Sequence, residues 1–343
     1  MSSIDWERVQ EGLVRDRHRI IWRPYGLPDV LDLERSRFFD GPVQPDWPIP
    51  DRMIVSVAIT GAFFQKSSNP SQPITTEEIL ADARASAQAG ATTVHIHVRD
   101  ERGYNTLSVD RFREVIDPLR SEFPELPIDG CLVPVLEDGW AEMTRALEER
   151  VFDATPINTT TVYLGDTLFS KPLPLILEKT RLALEAGVKP ILSCYTDGDV
   201  SIAARYLIRS GLVETPAYWL ILPSLPGCSP MENPRQMIDG LMRTSSAIFD
   251  VDSEATIMVC AAGRASMHLV AVAAALGLHI RVGMEDTIWL WPHRDELIAS
   301  NLQAFEMAKQ LAEALGREIA TPAEYRQMVG MQQREAVAAK APS

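Results

Sequence analysis

Two histidines stand two residues apart in Val94-His95-Ile96-His97-Val98-Arg99-Asp100, at the end of an apolar run that reads as a buried strand. Side chains at i and i+2 of a strand share one face, so both imidazoles can meet a single metal ion. A helical segment ending at Gly90 precedes the pair and the polar run Arg99 to Asn105 follows it. Both rings therefore fall at a carboxyl-terminal strand edge, where parallel α/β folds keep their chemistry. Taken alone the spacing is a weak signal, because a histidine near a core is more often a hydrogen-bonded core residue. What raises it is a carboxylate found much later in the chain.

The elements that must position these groups follow one grammar from Met53 onward: an apolar run, a loop, an amphipathic helix, a glycine, and the next run. The runs are Met53 to Ile59, Thr93 to Val98, Pro127 to Val133, Thr155 to Val162, Pro190 to Tyr195, Tyr218 to Leu222, Thr256 to Ala261 and His279 to Met284. Thr75-x-x-Glu78 reads as a capping box opening the first helix, and Gly90, Gly187, Gly211, Gly277 and Gly316 fit carboxyl-terminal helix stops. In the last helix Ile298, Leu302, Phe305, Ala308, Leu311 and Leu315 recur at helical spacing, which predicts one buried stripe. Eight βα units in one stretch predict a (β/α)8 TIM barrel. A doubly wound open sheet is the alternative, but no Gly-x-Gly-x-x-Gly follows the first strand.

Closing eight strands makes the last a neighbour of the first, so the ends of strands one, two and eight converge. Strand eight ends Arg281-Val282-Gly283-Met284-Glu285-Asp286, and Glu285 can then reach toward His95 and His97. Two imidazoles and one carboxylate suit zinc and leave a fourth position open for Lewis-acid chemistry. The competing expectation is that Glu285 and Asp286 only form ion pairs with Arg281 and Arg264.

Composition narrows the function classes. A formal charge of −14 over 343 residues leaves no basic stripe for nucleic acid or an anionic membrane surface. Cys131, Cys194, Cys228 and Cys260 lie far apart without Cys-x-x-Cys spacing, which points away from a zinc ribbon or disulfide framework and toward a reducing cytoplasm. Met1 to Arg17 lacks an apolar signal core, and the Ala-rich stretch Leu269 to Leu278 is too short to span a membrane. Residues 1–52, with Trp6, Trp22, Trp47 and many prolines but little sustained periodicity, read as an extension wrapping the barrel or a neighbouring subunit. Residues 53–330 form the catalytic barrel in this reading, and 331–343 a tail.

Several pieces in order resemble the beta-keto acid cleavage enzyme family: Ala58-Ile59-Thr60-Gly61-Ala62, Pro73-Ile74-Thr75, Gln88-Ala89-Gly90-Ala91 before the His-x-His run, Ala262-Gly263-Arg264, Arg281 to Asp286, Ser300-Asn301 and Gly316 to Pro322. Together they span Met53 to about Gly330, and their combination is specific where each alone is weak. The resemblance implies a zinc-bearing TIM barrel, usually a homo-oligomer with a tetramer favoured, in which His95, His97 and Glu285 hold one divalent metal. It implies that a beta-keto acid reacts with acetyl-CoA to give acetoacetate and a new acyl-CoA. In that chemistry Asp286 is the proton-abstracting base, and Arg281 keeps it ionised and oriented.

The match breaks at the substrate shell, which by resemblance comprises Thr60, Phe63, Arg99, Cys131, Asn158 and Ser193. Phe63 stands where aminohexanoate-cleaving members carry an acid, which argues against a cationic substrate tail. Cys131-Leu132-Val133-Pro134 replaces a Ser-Thr-Gly-Gly run that grips the carboxylate, and Ser193 replaces a glutamate. The loop Pro223 to Cys228 only partly matches the family's glycine-rich turn, whereas Asn158 does match. These differences predict a divergent member acting on another acid, or one that no longer uses acetyl-CoA. Two other functions compete: a metal-dependent hydrolase on the same barrel, although hydrolases of that kind carry His-x-His on strand one rather than two, and a non-catalytic metal- or metabolite-binding relative. Cys131 and Cys194 read as small core filler, and His268, His279 and His293 as structural or surface residues.

Overall fold

Every barrel strand alternates its side chains between an inner space and an outer shell of helices, so period-two burial on both faces is what the apolar runs encode. The computed structural model describes residues 4–18, 45–135, 139–164, 166–225 and 232–331. The strands are β1 Val55–Ala58, β2 Thr93–Ile96, β3 Ile128–Gly130, β4 Ala154–Asn158, β5 Lys189–Cys194, β6 Tyr218–Ile221, β7 Thr256–Val259 and β8 His279–Val282. They pair in parallel in chain order, and β8 pairs with β1 to close the barrel. Helices α1 Thr76–Gln88, α2 Val109–Glu122, α3 Gly139–Glu148, α4 Leu173–Glu185, α5 Asp197–Ala203, α6 Pro234–Val251, α7 Ser266–Ala275 and α8 Asn301–Ala314 follow the strands one for one. The predicted (β/α)8 barrel is the observed fold.

Outward-facing residues such as Val57, Val94, Ile96, Ile128, Trp219 and Ile280 form the larger core with the helices. Inward-facing Ile54, Ala154, Ile191, Tyr218, Leu220 and Met258 form a second core with Ala320, Tyr325 and Val329 from the end of the chain. The ring of Tyr325 meets that of Tyr218 edge-on at 5.9 Å, while Thr92 and Thr256, at the starts of β2 and β7, donate to the carbonyls of Ala320 and Met328. The amino-terminal end of the barrel is thereby plugged, and the carboxyl-terminal end is left for chemistry.

Local signals explain the helix limits. Thr75 and Glu78 form the capping box of α1, and the five glycines expected to stop helices all have positive φ. The buried face of α8 runs through Asn301, Ala304, Phe305, Ala308 and Ala312, so the expected stripe is shifted and Leu302 and Leu315 are exposed. The run read as Thr155 to Val162 divides into β4 and the first arm of an antiparallel hairpin, Thr161–Leu164 with Thr167–Ser170, because side chains beyond Asn158 no longer alternate into a core.

Contacts divide the chain into residues 1–48 and 49–343. Within the first unit Trp6–Arg15 is a helix capped by Asp5, an element the aperiodic reading of the extension did not anticipate. The boundary lies a few residues before the expected one, since Arg52–Met53 pairs in parallel with Glu318–Ile319. Trp22, the prolines at 24, 28 and 42, Cys228 and the tail beyond Met331 lie outside the described residues. Among the described residues no helix is long and apolar enough to cross a membrane.

Candidate functional site

His95 is the penultimate residue of β2 and His97 follows the strand directly, so both point inward at the barrel mouth. Glu285 arrives from the loop after β8, where its backbone N–H donates to Ala58 O at 3.1 Å. Two glycines make that approach possible. A Cβ at Gly61 (φ +62°) would overlap the Glu285 side chain, and one at Gly283 (φ +135°) would overlap the Ala58 carbonyl. Asn301 staples the two loops by accepting from Met284 N at 2.8 Å and donating to Ile59 O at 2.9 Å.

The three side chains bring one ligand atom each to within 4.8 Å of one another. Glu285 Oε2 lies 3.4 Å from His95 Nε2 and 3.5 Å from His97 Nε2, and all three atoms are buried without a hydrogen-bond partner. Buried polar atoms are rarely left unpaired, so three converging orphans fit a divalent cation. The other imidazole nitrogens are spoken for. His95 Nδ1 meets Asp129 Oδ1, and His97 Nδ1 meets Asn105 Oδ1 at 2.7 Å, which assigns the proton to Nδ1 and presents Nε2 as a lone pair. Burial disfavours a charged His97, but Glu285 and Cys131 raise its pKa to about 10. The field that holds a proton there would hold a cation in its place. Against burial, Arg281, His95 and His97 keep Glu285 well below the usual carboxylate range.

Beside this group Arg281, projecting inward from β8, makes a two-point contact with Asp286 through Nε, at 3.1 Å, and Nη2, and also reaches Glu285 Oε1 at 3.1 Å. Burial pushes the Asp286 carboxyl up to about 6, with Arg281 opposing the rise and Glu285 adding to it. A carboxylate poised near neutrality is suited to take and return a proton. Arg264 is not part of this cluster: it pairs with Asp295 and lies 4.7 Å from the Trp289 ring.

The remaining expected site residues fall into two groups. Thr60, Phe63 and Arg99 belong to the loop side. Buried Arg99 donates to the carbonyls of Thr60, Phe64 and Gly103 and so holds the loop that carries Phe63, which is exposed. The Thr60 hydroxyl donates to Pro73 O. Cys131 lies just beyond the end of β3, Asn158 is the last residue of β4 and Ser193 lies within β5, all on the inward parity. Burial raises the Cys131 thiol, but nearby His97, with the charges of Lys179 and His95, outweighs it and brings its pKa down to about 7. Asn158 donates to the Tyr195 hydroxyl at 3.4 Å and leaves Oδ1 buried and unpaired. Ser193 is fully buried and donates to Ile191 O. His279 accepts from Ile54 N at the barrel floor, and burial with nearby Arg317 pushes its pKa down to about 3. That is a structural role.

Asp129 was missed by the reading of the sequence, although a lone acid inside the apolar run Pro127 to Val133, at the same parity as Cys131, is a usable signal. Asn105 had no comparable mark, because its role depends on an antiparallel pairing of Val98–Arg99 with Asn105–Thr106.

A family model described as beta-keto acid cleavage enzyme matches residues 52–331. A 3-keto-5-aminohexanoate cleavage enzyme of Fusobacterium nucleatum subsp. nucleatum is 30% identical over 290 residues, covering 82% of this chain and 98% of that protein. A 3-dehydrocarnitine:acetyl-CoA trimethylamine transferase of Rhizobium meliloti is 28% identical over 305 residues, covering 82% and 97%. Among solved structures the apo form of ObcA superposes with a TM-score of 0.66 at 17% identity, over 76% of this chain and 66% of that one, a likeness of fold alone. The family match spans the whole barrel, including the buried His95, His97 and Glu285 and the Arg281–Asp286 pair: this chain belongs to the beta-keto acid cleavage enzyme family.

Proposed function

We propose that the protein is a zinc-dependent acyltransferase that condenses a beta-keto acid with acetyl-CoA and releases acetoacetate and a new acyl-CoA. The observation that carries this reading is the set of three orphaned ligand atoms beside a carboxylate clamped by arginine. His95, His97 and Glu285 would hold a divalent cation, which would supply Lewis-acid charge to polarise the keto acid. Asp286 takes the proton from the carbon between those groups. Arg281 aims the carboxylate and stabilises its charged form. The resulting carbanion attacks the acetyl thioester carbonyl and forms a carbon–carbon bond as CoA thiolate leaves. That thiolate attacks the original keto carbon, the bond to the substrate acyl group breaks, and Asp286 returns its proton to the departing acetoacetate carbon. Atoms and charge balance over the cycle.

Dehydrocarnitine- and aminohexanoate-directed relatives at 28–30% identity support acid exchange as the reaction while leaving this chain's acid its own. A cytoplasmic homo-oligomer, with the amino-terminal extension wrapping the barrel or a neighbouring subunit, belongs to the same reading. The test is acetoacetate formation by zinc-loaded protein from a panel of beta-keto acids with acetyl-CoA. Metal-dependent acetoacetate release supports the proposal, and zinc-loaded protein without turnover across the panel refutes it.

A further inference from the structure

We propose that the cleft between β3 and β4 is an anion subsite in which Lys171 and Lys179 hold a second carboxylate, at the end of the keto acid remote from the metal-binding group. The inference rests on the keto acid reading above and names the substrate class for it. The cleft exists because β3 ends early. Its recorded pairing with β4 is at Asp129 and Ala154, after which Cys131-Leu132-Val133-Pro134 turns away while β4 continues to Asn158. Lys171, Lys179 and Asn158 meet apolar Pro134, Ile157 and Ile176 around a gap of about 10 Å³, so a carboxylate would enter by widening it.

Lys179 lies on the inner face of α4, is 4% exposed, and donates to Pro156 O at 2.7 Å. Neither lysine has a carboxylate partner within ion-pair distance among the described residues. An ammonium brought into a protein interior normally has a counter-charge, because desolvating it alone costs several kcal/mol, roughly. One carbonyl does not offset that. Burial accordingly lowers Lys179 to about 7, with Lys171 contributing and Cys131 opposing. An arriving carboxylate would supply the missing charge.

Lys171 follows the hairpin after β4 and is placed by aromatic rings. Its Nζ lies 4.4 Å from the Phe169 ring centroid, and Phe169 stacks on Tyr195 at 6.5 Å with ring planes 10° apart. Tyr195 accepts from Asn158, whose unpaired Oδ1 is a further polar group at the same place. The position of the cleft selects which carboxylate it takes. The metal site would take the carboxylate beside the keto group, and Cys131 lies near enough to interact electrostatically with His97 on one side and with Lys179 and Lys171 on the other. The group held by the lysines therefore sits farther along the acid. Coenzyme A also carries negative charge, so its own affinity is the control.

Titration calorimetry on the zinc-loaded protein at pH 6.5, with acetyl-CoA left out so that no turnover occurs, compares 3-oxoadipate with 3-oxohexanoate. These acids share one chain length and differ by one terminal carboxylate. The wild type is expected to bind the dicarboxylate at least about tenfold more tightly, as charge-assisted hydrogen bonds would give. Lys171→Met and Lys179→Met should each remove most of that preference while leaving the affinity for 3-oxohexanoate within about twofold. Equal binding of the two acids by the wild type, equal losses for both acids in the variants, or a loss confined to coenzyme A would each overturn the subsite. Lys171 is only half-buried, so its variant keeps the test alive if Lys179→Met folds poorly. Absence of acetoacetate formation alongside a lysine-dependent preference would remove the proposed reaction and leave the subsite standing.

Discussion

On the β8–β1–β2 side of the mouth each chemistry-bearing side chain has a neighbour that fixes it: Asp129 for His95, Asn105 for His97, Arg281 for both Glu285 and Asp286. On the β3–β4–β5 side Asn158 leaves an oxygen unpaired, Ser193 turns its hydroxyl back to its own strand, and two lysines at a small gap have no carboxylate partner among the described residues. Asn158 and Ser193 stand on the same inward parity as His95 and Arg281, while the two lysines come from the end of the hairpin and from α4. The first side is preorganised for one reaction. The second has polar groups waiting for a ligand, as expected where recognition differs between relatives that share a chemistry.

The largest effect that would sharpen this contrast comes from the metal side. His95→Ala should lower acetoacetate formation by at least about a thousandfold, since the cation supplies much of the charge stabilisation for carbanion formation. Residual activity within tenfold of wild type would break the comparison. Asp286→Asn keeps the shape of the Arg281 pair and removes the base, so kcat should fall by about 10²–10⁴ with zinc content unchanged. Asp129→Asn should weaken metal affinity by about 10–100-fold, read by chelator competition, because it loosens the tautomer and orientation of His95.

The smallest expected effect concerns the other side. Lys179 titrates at about 7 in the folded protein against an ordinary value of 10.5. The unfolded chain binds that proton more tightly, so this group's cost to folding is absent above pH 10.5, grows as pH falls, and is complete below pH 7. Lys179→Met should flatten the rise of stability between pH 7 and 10.5. In denaturant melts at pH 6.5 it should be more stable than wild type by about 1–2 kcal/mol, with loss of one carbonyl hydrogen bond subtracted. A variant less stable at that pH would mean that Lys179 is held for structure.

The barrel was legible because its cause is repetitive: eight apolar runs, each followed by a helix, and five of those helices are stopped by a glycine at positive φ. The metal side was legible because its ligands are rare residue types at strand ends, made neighbours by closure. The supporting groups were harder to see. Asp129 could be read from parity, but Asn105 depends on a short pairing formed after the strand. Lys171 and Lys179 carry no mark in the sequence, because nothing in their spacing announces a strand that ends early and leaves a gap. The amino-terminal helix escaped notice among prolines and tryptophans, although Trp6, Val9 and Leu13 stand at helical spacing.

The central claim is that His95, His97 and Glu285 together hold one divalent cation. Metal content per chain, measured by mass spectrometry on wild type and Glu285→Gln loaded with zinc and desalted, tests it most directly. The account predicts one zinc per wild-type chain and loss of most of it in the variant, with circular dichroism unchanged. Equal zinc in both proteins, or none in the wild type, would contradict it.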